Sequence, residues 1–395
     1  MKKTVFVAMY CIIVLFLSIV VGELYARMAY RQPYLTGLLR EDPVFHHLPP
    51  PYYKGGMQSP GDFDISFTAN NRGMRGPADY IYEKPEGVFR IAVLGDSFTF
   101  GVGVAADETA SAVLEKILNA QAGSSKTYQV YNFGVNSYSP ILEYIYTKKE
   151  IVKYKPDLVI LMLDISDPYD DYIYEPHIVY ESNGDIAGCD PFRINGRPDV
   201  KAWLMKHSRL FYIMDSKLFQ SFRKMRAIGF VNYFRNKFKG VRNKSEILTN
   251  KTIDNIDFDK FILVREGKNK DVVARHWERT TKYLTMIKKY LNERGIRFIL
   301  VSYPYGHMVG EDQWAKGRAY WGFERGRVYG AADAFSLIEE FTRKNDIDLI
   351  NLYGPLKAKK DEPLYFNSDG HWTRRGQEVA ANAIFDSGIF QEALK

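Results

Sequence analysis

The residues best suited to chemistry are Gly95, Asp96 and Ser97, which directly follow the apolar run Ile91–Leu94. An unbroken aliphatic segment that ends in a tight glycine turn is typical of a buried parallel strand leading into a helix at the ligand-binding edge of an α/β sheet. Ser97 would begin that helix, where backbone N–H groups and the helix dipole favour negative charge. A serine in this position can act as a nucleophile, or it can serve only as a helix cap.

Three kinds of glycine turn bind or cleave ligands at such an edge, and none of the three motifs is fully matched here. A dinucleotide-binding turn needs Gly-x-Gly-x-x-Gly, whereas the glycines here stand at positions 95, 101 and 103. A phosphate-binding P-loop needs Gly-Lys and then Ser or Thr, but Val102 follows Gly101. The nucleophile elbow Gly-x-Ser-x-Gly of α/β hydrolases has Thr99 in place of its second glycine. What remains is a Gly-Asp-Ser turn that is compatible with acyl chemistry.

Three stretches of the chain resemble motifs of the SGNH/GDSL hydrolase family. Gly95-Asp96-Ser97-Phe98-Thr99-Phe100-Gly101 is similar to the first motif, a Gly-Asp-Ser after a buried strand with a glycine four residues on. Tyr131-Asn132-Phe133-Gly134-Val135-Asn136 is similar to the second motif. Asn367-Ser-Asp-Gly-His-Trp-Thr373 resembles the last motif, in the Asp-x-His-Trp form of membrane-anchored bacterial members. The resemblance covers about 90–180 and 276–390.

The resemblance implies a Ser-His-Asp site with Ser97 as nucleophile, His371 as base and Asp369 as the group that orients the base. It also implies that the backbone N–H groups of Ser97 and Gly134 hold the oxyanion. Ester cleavage needs each of these roles, and these residues can supply them. Each residue has a purely structural interpretation as well: Gly134 as a turn glycine, His371 as a structural histidine, and Asp369 as the cap of a helix that starts near Arg374.

The third family motif, Gly-x-Asn-Asp, has no match in this chain. The third strand ends Leu161-Met-Leu-Asp-Ile-Ser-Asp-Pro168, and Ser166 stands where an asparagine side chain would donate to the oxyanion. A serine hydroxyl can donate one hydrogen bond, but the serine side chain is shorter than that of asparagine and its hydroxyl group can rotate. Because loss of one oxyanion donor costs about 100- to 1000-fold in rate, the sequence predicts either a slow enzyme or another donor, such as Asn136.

The remaining ionisable residues do not indicate a metal or another cofactor. The other histidines lack the His-x-x-x-His spacing of metal ligands: His46, His47, His177, His207, His276 and His307. Four aspartates are clustered after the third strand: Asp164, Asp167, Asp170 and Asp171. They could form a calcium site, but a solvated loop is the favoured interpretation. We therefore expect no cofactor and no bound metal.

From Arg90 onward, strand and helix patterns alternate, which predicts a parallel sheet covered by helices on both faces. The predicted strands are Ile91–Leu94, Tyr128–Asn132, Leu158–Leu163, Ile296–Ser302 and Ile347–Asn351. The predicted helices are Glu108–Ala120, 141–153, Arg275–Arg294, Ala332–Asn345 and Arg374–Ile384. The fold class we predict is α/β, a flavodoxin-like three-layer parallel sheet of the SGNH hydrolase kind. The core would comprise residues 87–180 and 276–395.

The amino terminus predicts a membrane anchor. Residues 5–22 carry no charge, and Lys2 and Lys3 precede them, as in a spanning helix with its amino terminus inside. A cleaved signal peptide is the alternative, but no Ala-x-Ala type site follows. We therefore expect residues 1–22 to be a signal anchor, residues 23–86 to be a stalk with an edge hairpin, and the body of the chain to lie outside the cytoplasm, in the periplasm if the cell is Gram-negative.

A basic insert is predicted at 181–275. Residues 201–251 carry a net charge of +11 while the whole chain carries +7, so the rest of the chain is slightly acidic. Apolar residues recur there at helical spacing: Trp203, His207, Leu210, Phe211, Met214, Leu218, Phe222 and Met225. Either this apolar face packs on the core, or the insert touches the anionic inner membrane or an acidic polysaccharide. Nucleic acid is not an expected partner of a chain anchored outside the cytoplasm.

Together these features predict a serine esterase that acts on acyl, and in particular acetyl, esters of cell-surface glycans through an acyl-enzyme. One alternative is an O-acyltransferase in exopolysaccharide modification. A second is a non-catalytic glycan-binding or assembly protein with a decayed site, suggested by Ser166. The sequence does not define the acyl group, the glycan or the oligomeric state.

Overall fold

The computed structural model describes residues 2–29, 38–76, 78–122, 126–214, 259–265 and 270–395. The strands, in chain order, are β1 (Arg40–Asp42), β2 (His46–Leu48), β3 (Lys54–Ser59), β4 (Phe63–Thr68), β5 (Val88–Gly95), β6 (Thr127–Gly134), β7 (Leu158–Asp164), β8 (Ile178–Tyr180), β9 (Ile186–Cys189), β10 (Arg193–Ile194), β11 (Arg197–Pro198), β12 (Arg297–Tyr303) and β13 (Asp348–Asn351).

The α-helices in the same residues are α1 (Lys2–Ala29), α2 (Ser97–Phe100), α3 (Ala110–Gln121), α4 (Pro140–Lys149), α5 (Asp167–Tyr174), α6 (Val200–His207), α7 (Arg209–Ile213), α8 (Lys270–Asn292), α9 (Gly306–Val309), α10 (Ala332–Lys344), α11 (Tyr353–Ala358), α12 (Arg374–Phe385) and α13 (Gly388–Ala393). Short 3-10 turns lie at Ala106–Glu108, Ile151–Tyr154, Glu175–His177 and Gly317–Trp321.

Five strands form one parallel sheet in the order β13-β12-β7-β5-β6. Counted along the chain, this order reads 2-1-3-4-5 from the β6 edge, which is the flavodoxin-like arrangement. Every residue of β7 is buried, as expected for a central strand covered on both faces. The five predicted strands and the predicted α/β fold class are confirmed.

Helices cover the sheet as two groups. The helix α3 packs against α12, and α4 and α5 pack against α8. The apolar residues of α3 that gave it helical spacing in the sequence, among them Leu114 and Leu118, are buried. The predicted helix 141–153 proves to be α4 followed by a separate 3-10 turn, because the backbone leaves the helical conformation at Glu150.

The first helix is apolar over Val5–Met28, with a mean hydropathy of 2.9, and is long enough to cross a membrane. It extends beyond the predicted segment 5–22 and includes Glu23. Among the described residues it is the one helix with this length and composition. A signal sequence has the same two properties, so the helix is consistent with either a span or a leader.

Residues 38–76 pack against the domain instead of extending from it as a stalk. They form two antiparallel hairpins, β1 with β2 and β3 with β4, and the second contains the alternating segment predicted as an edge strand or hairpin. Phe45 pairs with Cys189 in an isolated bridge, and His47 is buried. Burying these aromatic side chains removes apolar surface from water.

The described part of the predicted basic insert contains hairpins as well as helices. The strands β8 and β9 pair with each other, as do β10 and β11, before α6 and α7. Trp203 is 52% exposed and stacks on His207, so this aromatic residue does not pack on the core. The predicted helical positions Leu218, Phe222 and Met225 lie outside the described residues.

Candidate active site

Ser97 stands where the strand β5 ends and α2 begins. Gly95 ends the strand at a φ of 151°, and a Cβ there would lie 2.1 Å from Thr99 Oγ1, so the turn requires glycine. Asp96 caps α2 by accepting a hydrogen bond from the Phe98 N–H at 2.8 Å. Ser97 is therefore the first residue of the helix at the carboxyl edge of the sheet, as the sequence predicts.

A loop between α11 and α12 brings Asp369 and His371 to Ser97. His371 Nε2 lies 2.7 Å from Ser97 Oγ, and His371 Nδ1 lies 2.5 Å from Asp369 Oδ1. Because the carboxylate only accepts, Nδ1 carries the proton and Nε2 is free to take the serine proton. Side chains from positions 274 residues apart in the sequence thus form one hydrogen-bonded chain, which is the arrangement that a nucleophile, a base and an orienting acid require.

The pKa of Asp369 is set by two opposing influences. Burial alone would raise the pKa of this carboxyl, but hydrogen bonds from the His371 ring and backbone N–H, together with the charge of that ring, bring it below the ordinary value. Asp369 is therefore ionised at neutral pH and stabilises the imidazolium that forms when His371 takes a proton.

The loop that carries Asp369 is held both by a hairpin outside the five-stranded sheet and by packing on residues at the edge of the sheet. Asp62, in the turn between β3 and β4, accepts hydrogen bonds from the N–H groups of Ser368 at 2.8 Å and Asp369 at 2.7 Å through one oxygen, Oδ2. On the other side of the loop, Trp372 is fully buried and packs on Phe98 and Tyr303. These contacts fix the backbone from which the acid and the base project.

A buried hydrogen-bond network lies beneath the nucleophile. The Tyr303 hydroxyl lies 3.0 Å from Asp96 Oδ1 and 3.2 Å from Asp164 Oδ2, and its one proton can be donated to either oxygen, while the Tyr305 hydroxyl lies 2.8 Å from the same Asp164 oxygen. Burial and the nearby charge of Asp164 raise the pKa of Asp96 to about 7. The carboxyl next to Ser97 therefore holds a proton for part of the neutral pH range.

Residues 263–387 match the family model described as "SGNH hydrolase-like domain, acetyltransferase AlgX". The matched stretch contains the base and its orienting acid, and the Gly-Asp-Ser turn precedes it in the chain. This stretch of the chain is therefore similar to an SGNH hydrolase-like domain.

Solved structures with a similar fold include two esterases. The acetyl xylan esterase AlAXEase is 12% identical, with a TM-score of 0.37, and the match covers 75% of this chain and 98% of that one. An acetylxylan esterase from Geobacillus stearothermophilus, solved as a catalytic mutant, is 9% identical, with a TM-score of 0.36 and coverage of 75% and 92%. The search of curated proteins found no match.

Two of the oxyanion donors that the SGNH/GDSL resemblance suggested do not fit their predicted roles. The Gly134 N–H already donates to Asn132 Oδ1 at 2.9 Å. Position 134 needs glycine for another reason: a Cβ would lie 2.3 Å from the Phe100 backbone nitrogen, so the glycine lets β6 approach α2. Ser166 is 1% exposed, and its hydroxyl oxygen lies 3.2 Å from the Tyr305 hydroxyl, which places it in the buried network beneath Ser97.

The other two predicted donors are the Ser97 N–H and the Asn136 side chain. The Ser97 N–H, at the start of α2, has no acceptor among the residues that the structure describes. Asn136 lies in the turn after β6, and its Oδ1 is buried with no partner in the described ranges. An oxyanion donor would be the Nδ2 group of the same amide.

Sequence reasoning missed Ser137, the next residue of the same turn. The Val135 N–H donates to the Gly95 oxygen at 3.0 Å, which keeps the turn beside the nucleophile. Ser137 has a φ of 62°, in the left-handed region that favours glycine. Its N–H has no acceptor in the described part of the chain. The Asn-Ser pair after a strand signals a turn, but not which way the peptide N–H points.

The aspartates after β7 are not a solvated loop. Asp164, Asp167 and Asp171 are buried, and burial raises the pKa of Asp171 to about 7 and that of Asp167 well above its usual value. Within the ranges that the structure describes, no group of three or more His, Cys, Asp or Glu side chains could hold a metal ion. The raised pKa values of Asp167 and Asp171 favour the protonated forms of these two carboxyls inside the domain.

Proposed function

We propose that this chain is a serine esterase that removes acyl groups, in particular acetyl groups, from cell-surface glycans. The observation that carries the proposal is the hydrogen-bonded chain from Ser97 through His371 to Asp369. A site that had lost its catalytic function would have no need to keep both the Ser97–His371 and the His371–Asp369 hydrogen bonds. The family match supports acyl chemistry, and the proposed anchor supports a substrate at the cell surface.

The reaction follows from the positions of the protons. Ser97 Oγ attacks the ester carbonyl carbon as His371 Nε2 takes the hydroxyl proton, and the carbonyl oxygen becomes the oxyanion. The Ser97 N–H, the Ser137 N–H and the Asn136 amide are the donors that we propose for this oxygen. The sugar alcohol leaves with the proton from His371. Water then attacks the acyl-enzyme by the same route and releases the carboxylic acid.

A fluorophosphonate probe tests the nucleophile, since it reacts with activated serines. We expect the parent protein to be labelled and Ser97→Ala to be unlabelled. Ser166→Ala is a matched control, because its hydroxyl is buried in the network below the site, and it should be labelled like the parent. An unlabelled folded parent, or a Ser97→Ala protein that is labelled as well as the parent, would favour the non-catalytic alternative.

A second candidate function is O-acyl transfer to a glycan hydroxyl, favoured by the acetyltransferase in the description of the matching family. The acyl-enzyme would be the same, and a sugar hydroxyl would replace water as its acceptor. An activated acetyl ester carrying labelled acetyl, supplied with and without an oligosaccharide, separates the two functions. Label found only as free acetate supports the esterase, and label on the oligosaccharide supports the transferase.

We further propose that α1 remains attached as a single-pass anchor, with the domain outside the cytoplasm. Glu23, near the end of the apolar run, accepts hydrogen bonds from the hydroxyl of Ser208 at 2.8 Å and from the N–H groups of Arg209 and Leu210, each at 2.9 Å. Removing α1 would leave the start of α7 without this acceptor. The intact mass of the membrane-extracted chain tests this: a mass that lacks the first 22 or more residues would contradict an uncleaved anchor.

The same contacts suggest that α6 and α7 lie on the membrane surface. Trp203 is 52% exposed, and tryptophan favours the bilayer interface, while Lys201 and Arg209 supply positive charge. In vesicles of brominated lipid, we expect quenching of parent fluorescence to be reduced in Trp203→Phe but unchanged in Trp321→Phe, a half-exposed residue on the 3-10 turn Gly317–Trp321. Equal quenching in the parent and in Trp203→Phe would place α6 away from lipid.

A further inference from the structure

His47 contacts the turn that follows β6, although it belongs to the hairpin formed by β1 and β2. Its ring is 8% exposed, and its Nε2 lies 2.8 Å from the backbone oxygen of Asn136. A carbonyl oxygen can only accept a hydrogen bond, so Nε2 carries the proton and donates it. The ring is thus one end of a link between the amino-terminal hairpin and the turn beside Ser97.

A second histidine fixes the protonation of the first. His46 Nδ1 lies 2.8 Å from His47 Nδ1, and since neutral His47 has its proton on Nε2, its Nδ1 is an acceptor and His46 donates to it. Burial lowers the pKa of His46 to about 2 and also lowers that of His47. At neutral pH both rings are therefore uncharged: His46 donates a hydrogen bond to His47, and His47 donates one to the Asn136 oxygen.

The direction of one peptide unit follows from this contact. In a trans peptide the C=O of one residue and the N–H of the next point in opposite directions, and no cis bond occurs in the described residues. Because the Asn136 carbonyl points at His47, the Ser137 N–H points away from it. The next carbonyl, that of Ser137, is held separately by the Tyr174 hydroxyl at 2.9 Å.

We propose that His47 is a positioning residue that aims the Ser137 N–H as an oxyanion donor during ester cleavage. The proposal rests on the esterase function proposed above. It assigns to the amino-terminal hairpin a part in transition-state stabilisation, although that hairpin lies outside the five-stranded sheet. The left-handed backbone of Ser137 is consistent with this role, because a non-glycine residue in that conformation needs neighbouring contacts to hold it there.

The test compares an ordinary ester with its thiono counterpart, in which sulfur replaces the carbonyl oxygen. Sulfur accepts hydrogen bonds poorly, so loss of an oxyanion donor slows the ordinary ester far more than the thiono ester. For His47→Phe we expect kcat for the ordinary ester to fall about 10- to 100-fold with little change in KM. The ratio of ordinary-ester to thiono-ester kcat should fall as well. His47→Gln, whose amide can still donate to Asn136, should recover most of the activity.

Two further variants complete the test. His177→Phe changes a neighbouring ring, 5.6 Å from His46 between centroids, and should leave the ratio unchanged. Tyr174→Phe frees the Ser137 carbonyl and should lower the ratio even if His47→Phe does not fold. If His47→Phe and Tyr174→Phe each lowered kcat equally for the ordinary and the thiono ester, the positioning role would be overturned. The proposed esterase function would not be affected by that result. A parent without esterase activity and without fluorophosphonate labelling would overturn both proposals.

Discussion

At the scale of single residues, the arrangement of protons at His371 decides whether Ser97 is activated. The ring can serve as a base only with its proton on Nδ1, and the Asp369 carboxylate 2.5 Å away enforces that tautomer. The same carboxylate stabilises the positive charge that appears on the ring during attack. Its lowered pKa keeps that charge available well into acidic solution.

Asp369→Asn should lower kcat by about 100- to 10,000-fold with a small change in KM, because an amide neither fixes the tautomer nor carries the charge. Steady-state kinetics on an activated acetyl ester would measure this. Asp361→Asn, an exposed position in the same loop region, is the matched control and should be unchanged. Activity of Asp369→Asn within about threefold of the parent would show that another group orients the base.

At the scale of elements, the β3–β4 hairpin acts as a brace for the loop of the base. Asp62 satisfies two backbone N–H groups of that loop, and the ring of Phe63 packs on that of Phe366 with centroids 4.9 Å apart. The hairpin thus contributes to the active site without supplying a reacting atom.

Asp62→Ala should lower kcat about tenfold, because two N–H groups of the catalytic loop lose their acceptor. Asp62→Asn should recover part of the loss, since the amide oxygen can still accept both hydrogen bonds. Asp64→Ala, in the same hairpin but bonded to Gln58, is the control and should behave like the parent in kcat. Equal effects of Asp62→Ala and Asp64→Ala on kcat would mean that the hairpin only stabilises the fold.

The contacts of these elements also show what the sequence could predict. The five strands follow from unbroken or alternating apolar runs, and Ser97, Asp369 and His371 were found from two short motifs. The role of Gly134 could not be inferred, since the use of its N–H depends on how the Asn132 side chain turns. Asp62 and His47 reach the site from hairpins distant in sequence, and no local pattern reports such contacts.

At the scale of the whole molecule, buried carboxyls make stability depend on pH. Asp171, in α5, is fully buried and hydrogen-bonded to Thr280 at 2.6 Å and to the Ile141 N–H at 3.0 Å. Burial raises its pKa to about 7, whereas an aspartate in an unfolded chain titrates near 4. At pH values between these two pKa values, Asp171 holds a proton in the folded state and has released it in the unfolded state. The free energy of unfolding therefore falls as the pH rises.

The free energy of unfolding of the parent should therefore decrease from pH 5 to pH 7 by about 1–3 kcal/mol more than that of Asp171→Asn. Chemical denaturation of the full chain in detergent at several pH values measures this difference. Asp312→Asn, at an exposed position, should follow the parent. Parallel pH profiles for the parent and Asp171→Asn would show that another group carries the linkage.

The hydrogen bonds to Asp62 have a consequence for the lifetime of the active state. The N–H groups of Ser368 and Asp369 donate to a side chain of a separate two-stranded hairpin, and hairpins of that size are marginally stable by themselves. Each transient opening of the hairpin would expose both amides and free the catalytic loop at the same moment. The exchange rate of those two hydrogens should therefore measure how often the enzyme leaves its catalytically competent form.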